Sequence, residues 1–100
     1  MNMEVYNSNN NVNTVIEYKL TTREVEYLGL VALGFHNYEI AKLLRVTNPA
    51  VRKALESVFR KLCAKDRANA VAIAFVHKLL NVDVLTKLVE KYKVRTHFIC

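Results

Sequence analysis

The sequence predicts an all-α fold with a single modest core. Of its 100 residues, 52% are hydrophobic, while only two are Gly and one is Pro. That balance suits packed helices better than a disordered or all-β chain. Apolar residues recur at helical spacing from Val25 to Tyr92, the pattern of successive amphipathic helices. Thr21, Thr47, Asp66 and Asp83 stand immediately before those stretches, and each can cap a helix N-terminus.

Residues 1–13 are rich in Asn and poor in charge, the composition of a flexible tail. Val15, Ile16, Tyr18 and Leu20 could anchor the chain as it enters the fold, whether extended or helical. The first helix begins at Thr21-Thr22-Arg23-Glu24, which has capping-box form. Val25, Leu28, Val31 and Ala32 mark its buried face, and Gly34 supplies a left-handed stop. A short second helix is predicted over Asn37–Leu44, with Ile40, Ala41 and Leu44 inward. Thr47 then caps a third helix, and Pro49 falls in its first turn, where no donor is missed. A fourth helix is predicted from Arg67 to about Leu79, after Asp66 as cap. It is apolar on nearly all sides, with Val71, Ala74 and Phe75 on one face and Ile73, Val76 and Leu80 on another. A helix of that kind has to bury both faces, and in so small a domain the second face needs either another helix of the same chain or a partner subunit. A fifth helix, capped by Asp83, presents Leu85, Leu88, Val89 and Tyr92 on one stripe, and Lys87, Glu90 and Lys91 on the other. The final VRTHFIC is unassigned.

The net charge of +6 is unevenly placed. Residues 42–67 hold eight of the fifteen cations and only two of the nine acids, so the other 74 residues balance at seven against seven. A basic segment on a compact domain points to a polyanionic partner, above all nucleic acid. At 100° per residue, Val51, Leu55, Val58 and Leu62 fall within about 60° of one another. Arg52, Glu56, Arg60 and Lys53 occupy the opposite side, between about 100° and 200°. Two helices joined by a short turn, the second cationic on its outer face, form a helix-turn-helix.

In order along the chain stand Leu20-Thr21-x-Arg23-Glu24, Val31-Ala32-x-Gly34, Asn37-x-Glu39-Ile40-Ala41, Leu44-x-Val46-Thr47, Val51-Arg52, Lys61-Leu62, Arg67 and Ala70-Val71. Through them residues 20–80 resemble the DNA-binding domain of LuxR/FixJ-type (GerE-like) bacterial transcription regulators. The resemblance implies a four-helix domain with recognition helix 48–62 in the major groove and dimerisation through the fourth helix, at Ile73, Val76 and Leu80. It also assigns roles by position. Arg52 stands where the family faces DNA with a Lys, and an Arg there can read guanine or grip phosphate. Lys61 matches a phosphate-binding position. Asn37, Thr47 and the adjoining Asn48 lie at helix starts suited to an anion. Lys53, Glu56 and Arg60 occupy positions that vary with operator. Glu56 can accept from cytosine N4 or pair with Arg60 or Arg52. Arg67 either ties the fourth helix or binds phosphate. The chain departs from the family at His36, where the family caps with Ser, and at Tyr38, where it has Lys. It departs again at Ala50 and Ala54, in place of Thr and His.

The expected organisation is a tail at 1–19, the helix-turn-helix domain at 20–80 and a helical extension at 81–100. The expected function is sequence-specific binding of double-stranded DNA by a homodimeric, cytoplasmic, nucleoid-associated regulator of transcription. The alternative is a protein-interaction module, an anti-regulator that pairs with a larger LuxR-type regulator. Neither a signal peptide nor a membrane span is indicated. His36, His77 and His97 share no metal-ligand spacing with Cys63 or Cys100. No motif suggests catalysis, and no cofactor is expected.

Overall fold

The computed structural model describes residues 19–94, in which five helices follow one another. They are α1 (Thr22–Ala32), α2 (Asn37–Leu44), α3 (Asn48–Leu62), α4 (Arg67–Val76) and α5 (Val82–Lys91). The readings made for Val15, Ile16, Tyr18, His97 and Cys100 fall outside the described residues.

The helix starts are set by side chains. Thr21 Oγ1 accepts from the Glu24 N–H at 3.0 Å and Glu24 Oε1 accepts from the Thr21 N–H at 2.9 Å, so the capping box forms in full. At α2 only half of that arrangement is built, with the His36 N–H donating to Glu39 Oε1 at 2.8 Å. Thr47 caps α3 through the Ala50 N–H, with Pro49 inside the first turn. Asp66 caps α4 by accepting from the Asn69 N–H, and the Asn69 side chain in turn accepts from the Lys65 N–H at 2.9 Å. The cap of α5 is Asn81, accepting from the Val84 N–H at 2.8 Å. Asp83, expected as that cap, lies instead in the first turn, where its charge still favours the helix N-terminus.

The helix ends turn on positive φ. Gly34 has φ of +97° after α1, as the sequence predicts, but Arg45, Cys63, Lys78 and Lys93 adopt φ between +51° and +62° without being Gly. The ends of α2 at Leu44 and α3 at Leu62 fall where the sequence predicts, but sequence signals for helix ends rest chiefly on Gly and Pro, so the reversal at Lys78 is not announced. In consequence α4 ends at Val76 rather than near Leu79.

Two apolar clusters make up the core. Tyr27, Leu30, Val31, Ile40, Ala41, Leu44, Val51 and Leu55 join α1, α2 and the first half of α3. Leu28, Val58, Leu62, Ala70, Ala74 and Leu80 join α1, the second half of α3, α4 and the turn beyond it. The stripe Val51, Leu55, Val58 and Leu62 is buried throughout, at 2% exposure or less. No polar or charged side chain is buried among the described residues, so the core is held by apolar burial at about 25 cal/mol per Å².

Within the extension, α5 packs chiefly on α1, where a Cβ placed at Gly29 would stand 2.3 Å from Leu88 Cδ1, while Val84 and Leu85 reach the second cluster. Glu26 meets Lys91 Nζ and the Tyr92 hydroxyl at the rim of this contact, and Arg23 Nη1 reaches Glu26 Oε1 at 3.1 Å. Burial opposes the charged form of Glu26, but the donors from Lys91, Arg23 and Tyr92 prevail and hold its carboxyl below the usual carboxylate range.

Candidate nucleic-acid interface

Fixing the inner stripe of α3 in the core leaves its other side free. Arg52, Lys53, Glu56 and Arg60 are all exposed there. Lys42 on α2, Arg45 in the α2–α3 turn and Lys65 in the α3–α4 link are exposed as well. Lys42, Arg45, Arg52, Lys53, Arg60 and Lys65 engage no side-chain partner among the described residues. Six unspent cations on and around one helix make a surface suited to a polyanion. The sequence places Lys42, Arg45 and Lys65 in the basic segment but gives them no role, because they lie outside the helix whose angles are read.

The other two cations of the segment are spent inside the molecule. Lys61 Nζ donates to Glu24 Oε1 and Oε2 at 2.9 and 3.0 Å, and to the Lys19 carbonyl at 3.4 Å. The Glu24 carboxylate also accepts from Ser57 Oγ at 3.4 Å. Burial pushes the Glu24 carboxyl up, yet the Thr21 N–H, Lys61 and Ser57 outweigh it and hold the group below the usual range. Lys61, expected at phosphate, thus ties the end of α3 to the start of α1. Arg67 donates through Nη1 to Asn37 Oδ1 and through Nη2 to the Phe35 carbonyl, both at 2.9 Å. Of its two readings, the structure builds the tie. The same bond occupies the oxygen of Asn37, which is half-buried rather than presented.

The remaining site residues fall as follows. Thr47 is exposed, with its hydroxyl oxygen engaged by the Ala50 N–H at 3.2 Å, and Asn48 is exposed. Glu56 makes no ion pair with Arg52 or Arg60 among the described residues, so the pairing reading is not realised. Ala50 is exposed, while Ala54 packs against the first cluster. Tyr38 is 54% exposed and its ring stacks on His36, centroids 5.8 Å apart. On α4, Val76 is 74% exposed and Ile73 half-buried, but Leu80 is 1% exposed in the second cluster. The turn after Val76 thus swings Leu80 inward, away from the exposed side of α4 where the sequence places it with Ile73 and Val76.

A short helix and a longer one set at a tight turn, the second anchored by one stripe and cationic outside, define a helix-turn-helix domain of the DNA-binding type. Comparison with known proteins gives the family. Residues 18–74 match the model of bacterial regulatory proteins of the luxR family, GerE, and the chain belongs to that family. It is 41% identical over 61 residues to the response regulator protein VraR of Staphylococcus aureus strain Mu3, covering 61% of this chain and 29% of that one. The response regulator proteins VraR of Staphylococcus saprophyticus and Staphylococcus epidermidis match with the same identity and the same coverage. The chain thus spans less than a third of the length of these relatives. No solved structure matches it. Residues 82–91, which form α5, lie beyond the family match. No described helix is long and apolar enough to cross a membrane, and the described residues contain no group of three metal-ligating side chains.

Proposed function

We propose that this chain binds double-stranded DNA in a sequence-specific manner and regulates transcription, with the outer face of α3 in the major groove. The observation that carries the reading is the division of the basic segment. Its two internally bonded cations, Lys61 and Arg67, brace α3 and α4, while the six cations without side-chain partners among the described residues surround the exposed face of α3. Phosphate contacts from Lys42, Arg45, Arg60 and Lys65 supply affinity, and Arg52 with Lys53 supply base selection. Asn48 and Thr47, at the exposed start of α3, contribute contacts to the backbone. An unpaired Glu56 favours cytosine at its position, since its carboxylate can accept from N4 and repels phosphate.

The chain acts as a homodimer, so its site is an inverted repeat. The apolar residues α4 leaves outside, Val76 with Phe75 and the edge of Ile73, form the contact. The test is selection of bound duplexes from a random pool, followed by Arg52→Ala against the selected site. Loss of about 1–3 kcal/mol confined to that site is expected. Equal affinity for selected and unselected duplexes would remove base reading by this helix. No duplex binding even at low salt, with a stable complex formed instead with a full-length LuxR-type regulator, would replace the reading by the anti-regulator one.

A further inference from the structure

We infer that α5 is exchanged between two copies of this chain, residues 77–81 straightening so that α4 and α5 become one helix. The inference rests on the homodimer proposed above, and in it a seam that shares Phe75 with the α4 patch takes the place of the contact at Ile73 and Val76.

Three features of the described chain point there. First, α5 is held by α1, through Leu88 over Gly29 and through Glu26 with Lys91 and Tyr92. The α1 of a second copy offers the same seat, and Leu80 travels with α5 because its Cδ2 faces Gly29 too, 3.7 Å from the same Cβ position. Second, the link His77-Lys78-Leu79-Leu80-Asn81 contains neither Gly nor Pro. Its reversal is made at Lys78 with φ of +62°, and the Ala74 carbonyl accepts both the Leu79 and Leu80 N–H groups. A left-handed Lys is strained, whereas Lys and Leu both favour the helix that straightening would make. A strained short hinge is the usual setting for exchange of an element between protomers.

Third, the joined helix acquires a continuous seam. Ala68, Ala72, Phe75, Leu79 and Val82 then follow at alternating steps of four and three residues, the a/d pattern of a coiled coil. In the unexchanged fold this seam is broken by the link, where Leu79 is half-buried against the second cluster, and its other large members stay outside, with Phe75 41% and Val82 76% exposed. On the opposite side of the joined helix Ala70 and Ala74 face one core, while Val84 and Leu88 face the other. The joined helix therefore satisfies both of its apolar faces. The occupant of the seam is the same seam of a second copy.

The test mixes two chains, each with a single cysteine, in a Cys63→Ser, Cys100→Ser background. One chain carries Gly29→Cys and the other Leu88→Cys. The Cβ at position 29 stands 2.3 Å from Leu88 Cδ1, so the two Cβ atoms lie at most about 5 Å apart, close to disulfide range. The chains are unfolded together, refolded at high concentration and oxidised. Exchange yields a covalent heterodimer, because no single chain can form this bond. A dimer in sedimentation without that product overturns exchange and leaves a side-by-side dimer. A monomer at every concentration overturns both readings. Lys78→Gly checks the hinge without touching the seat of α5. Relieving the left-handed Lys in two monomers raises the dimer dissociation constant about 30-fold, and an unchanged constant would refute the hinge.

Discussion

Arg60 and Lys61 are neighbours on α3 with the same charge, and the structure assigns them opposite consequences when removed. Arg60 is exposed and touches no side-chain partner among the described residues, whereas Lys61 holds both oxygens of Glu24. The salt dependence of duplex binding separates them. Each phosphate contacted adds about 0.9 to the log–log slope, so six free cations set an upper limit of about 5 per protomer. Raising salt from about 50 to about 200 mM then weakens binding by up to about a thousandfold. Arg60→Ala lowers that slope by about 0.9 per protomer. The same salt step then costs about 3.5-fold less, and stability stays within about 0.5 kcal/mol. Lys61→Ala leaves the slope unchanged and lowers stability by about 0.2–1 kcal/mol, the range for a partly exposed pair. Fluorescence anisotropy over a salt series and urea melts of both variants measure the two quantities. A flattened slope with undiminished stability in Lys61→Ala would show that Lys61 leaves Glu24 for phosphate, and would break the division on which the interface rests.

Arg67→Ala removes two charge-assisted bonds between the starts of α4 and α2 and is expected to cost about 1–3 kcal/mol in a urea melt. Its salt slope should not change; a decrease of about 1 would mark Arg67 as a phosphate contact. Glu24 and Glu26 have folded-state pKa values below their unfolded ones. Between the two values the unfolded chain binds more protons, so stability rises with pH across that window. Their contribution is complete above the ordinary carboxylate range and lost as pH falls through the folded values. Thermal melts of Glu26→Gln should therefore show a shallower acid decline than the parent chain, and an identical decline would dismiss the Glu26 cluster. Gly34→Ala should destabilise by about 1–2 kcal/mol although nothing lies within 4 Å of the added carbon, because its φ is +97°. A neutral result in urea would mean that the backbone there relaxes freely.

What was legible in the sequence follows a physical line. The bounds of α2, the capping box of α1 and the stripe Val51, Leu55, Val58 and Leu62 could be read because each depends on residues within a few positions. The reversal at Lys78 could not, since its left-handed residue is a Lys rather than the Gly that signals a helix end. The same limit explains Leu80. Helical periodicity continued through residues 77–80 places it outside, while the reversal at Lys78 turns it into the core. For the candidate site, exposure of Arg52, Lys53, Glu56 and Arg60 followed from angle alone. The engagement of Lys61, Asn37 and Arg67 did not, because their partners Glu24, Phe35 and one another lie thirty or more residues apart.

The acids of α1 show how the interface and the extension share a support. Glu24 and Glu26 are two residues apart, about 200° around the helix, and so point to opposite sides. Glu24 receives Lys61 from α3, and Glu26 receives Lys91 and Tyr92 from α5. Between them the helix buries Tyr27, Leu28, Leu30 and Val31 in both apolar clusters. The cationic helix is thus positioned from behind by an element whose other flank is covered by α5. Glu24→Gln acts on the first flank, and its loss of stability should add to that of Leu88→Ala if the two flanks are independent. Leu88→Ala is expected to cost about 2–5 kcal/mol, as for a buried leucine. A double variant differing from the sum by more than about 0.5 kcal/mol would show that α1 shifts as a whole, carrying the orientation of α3 with the docking of α5.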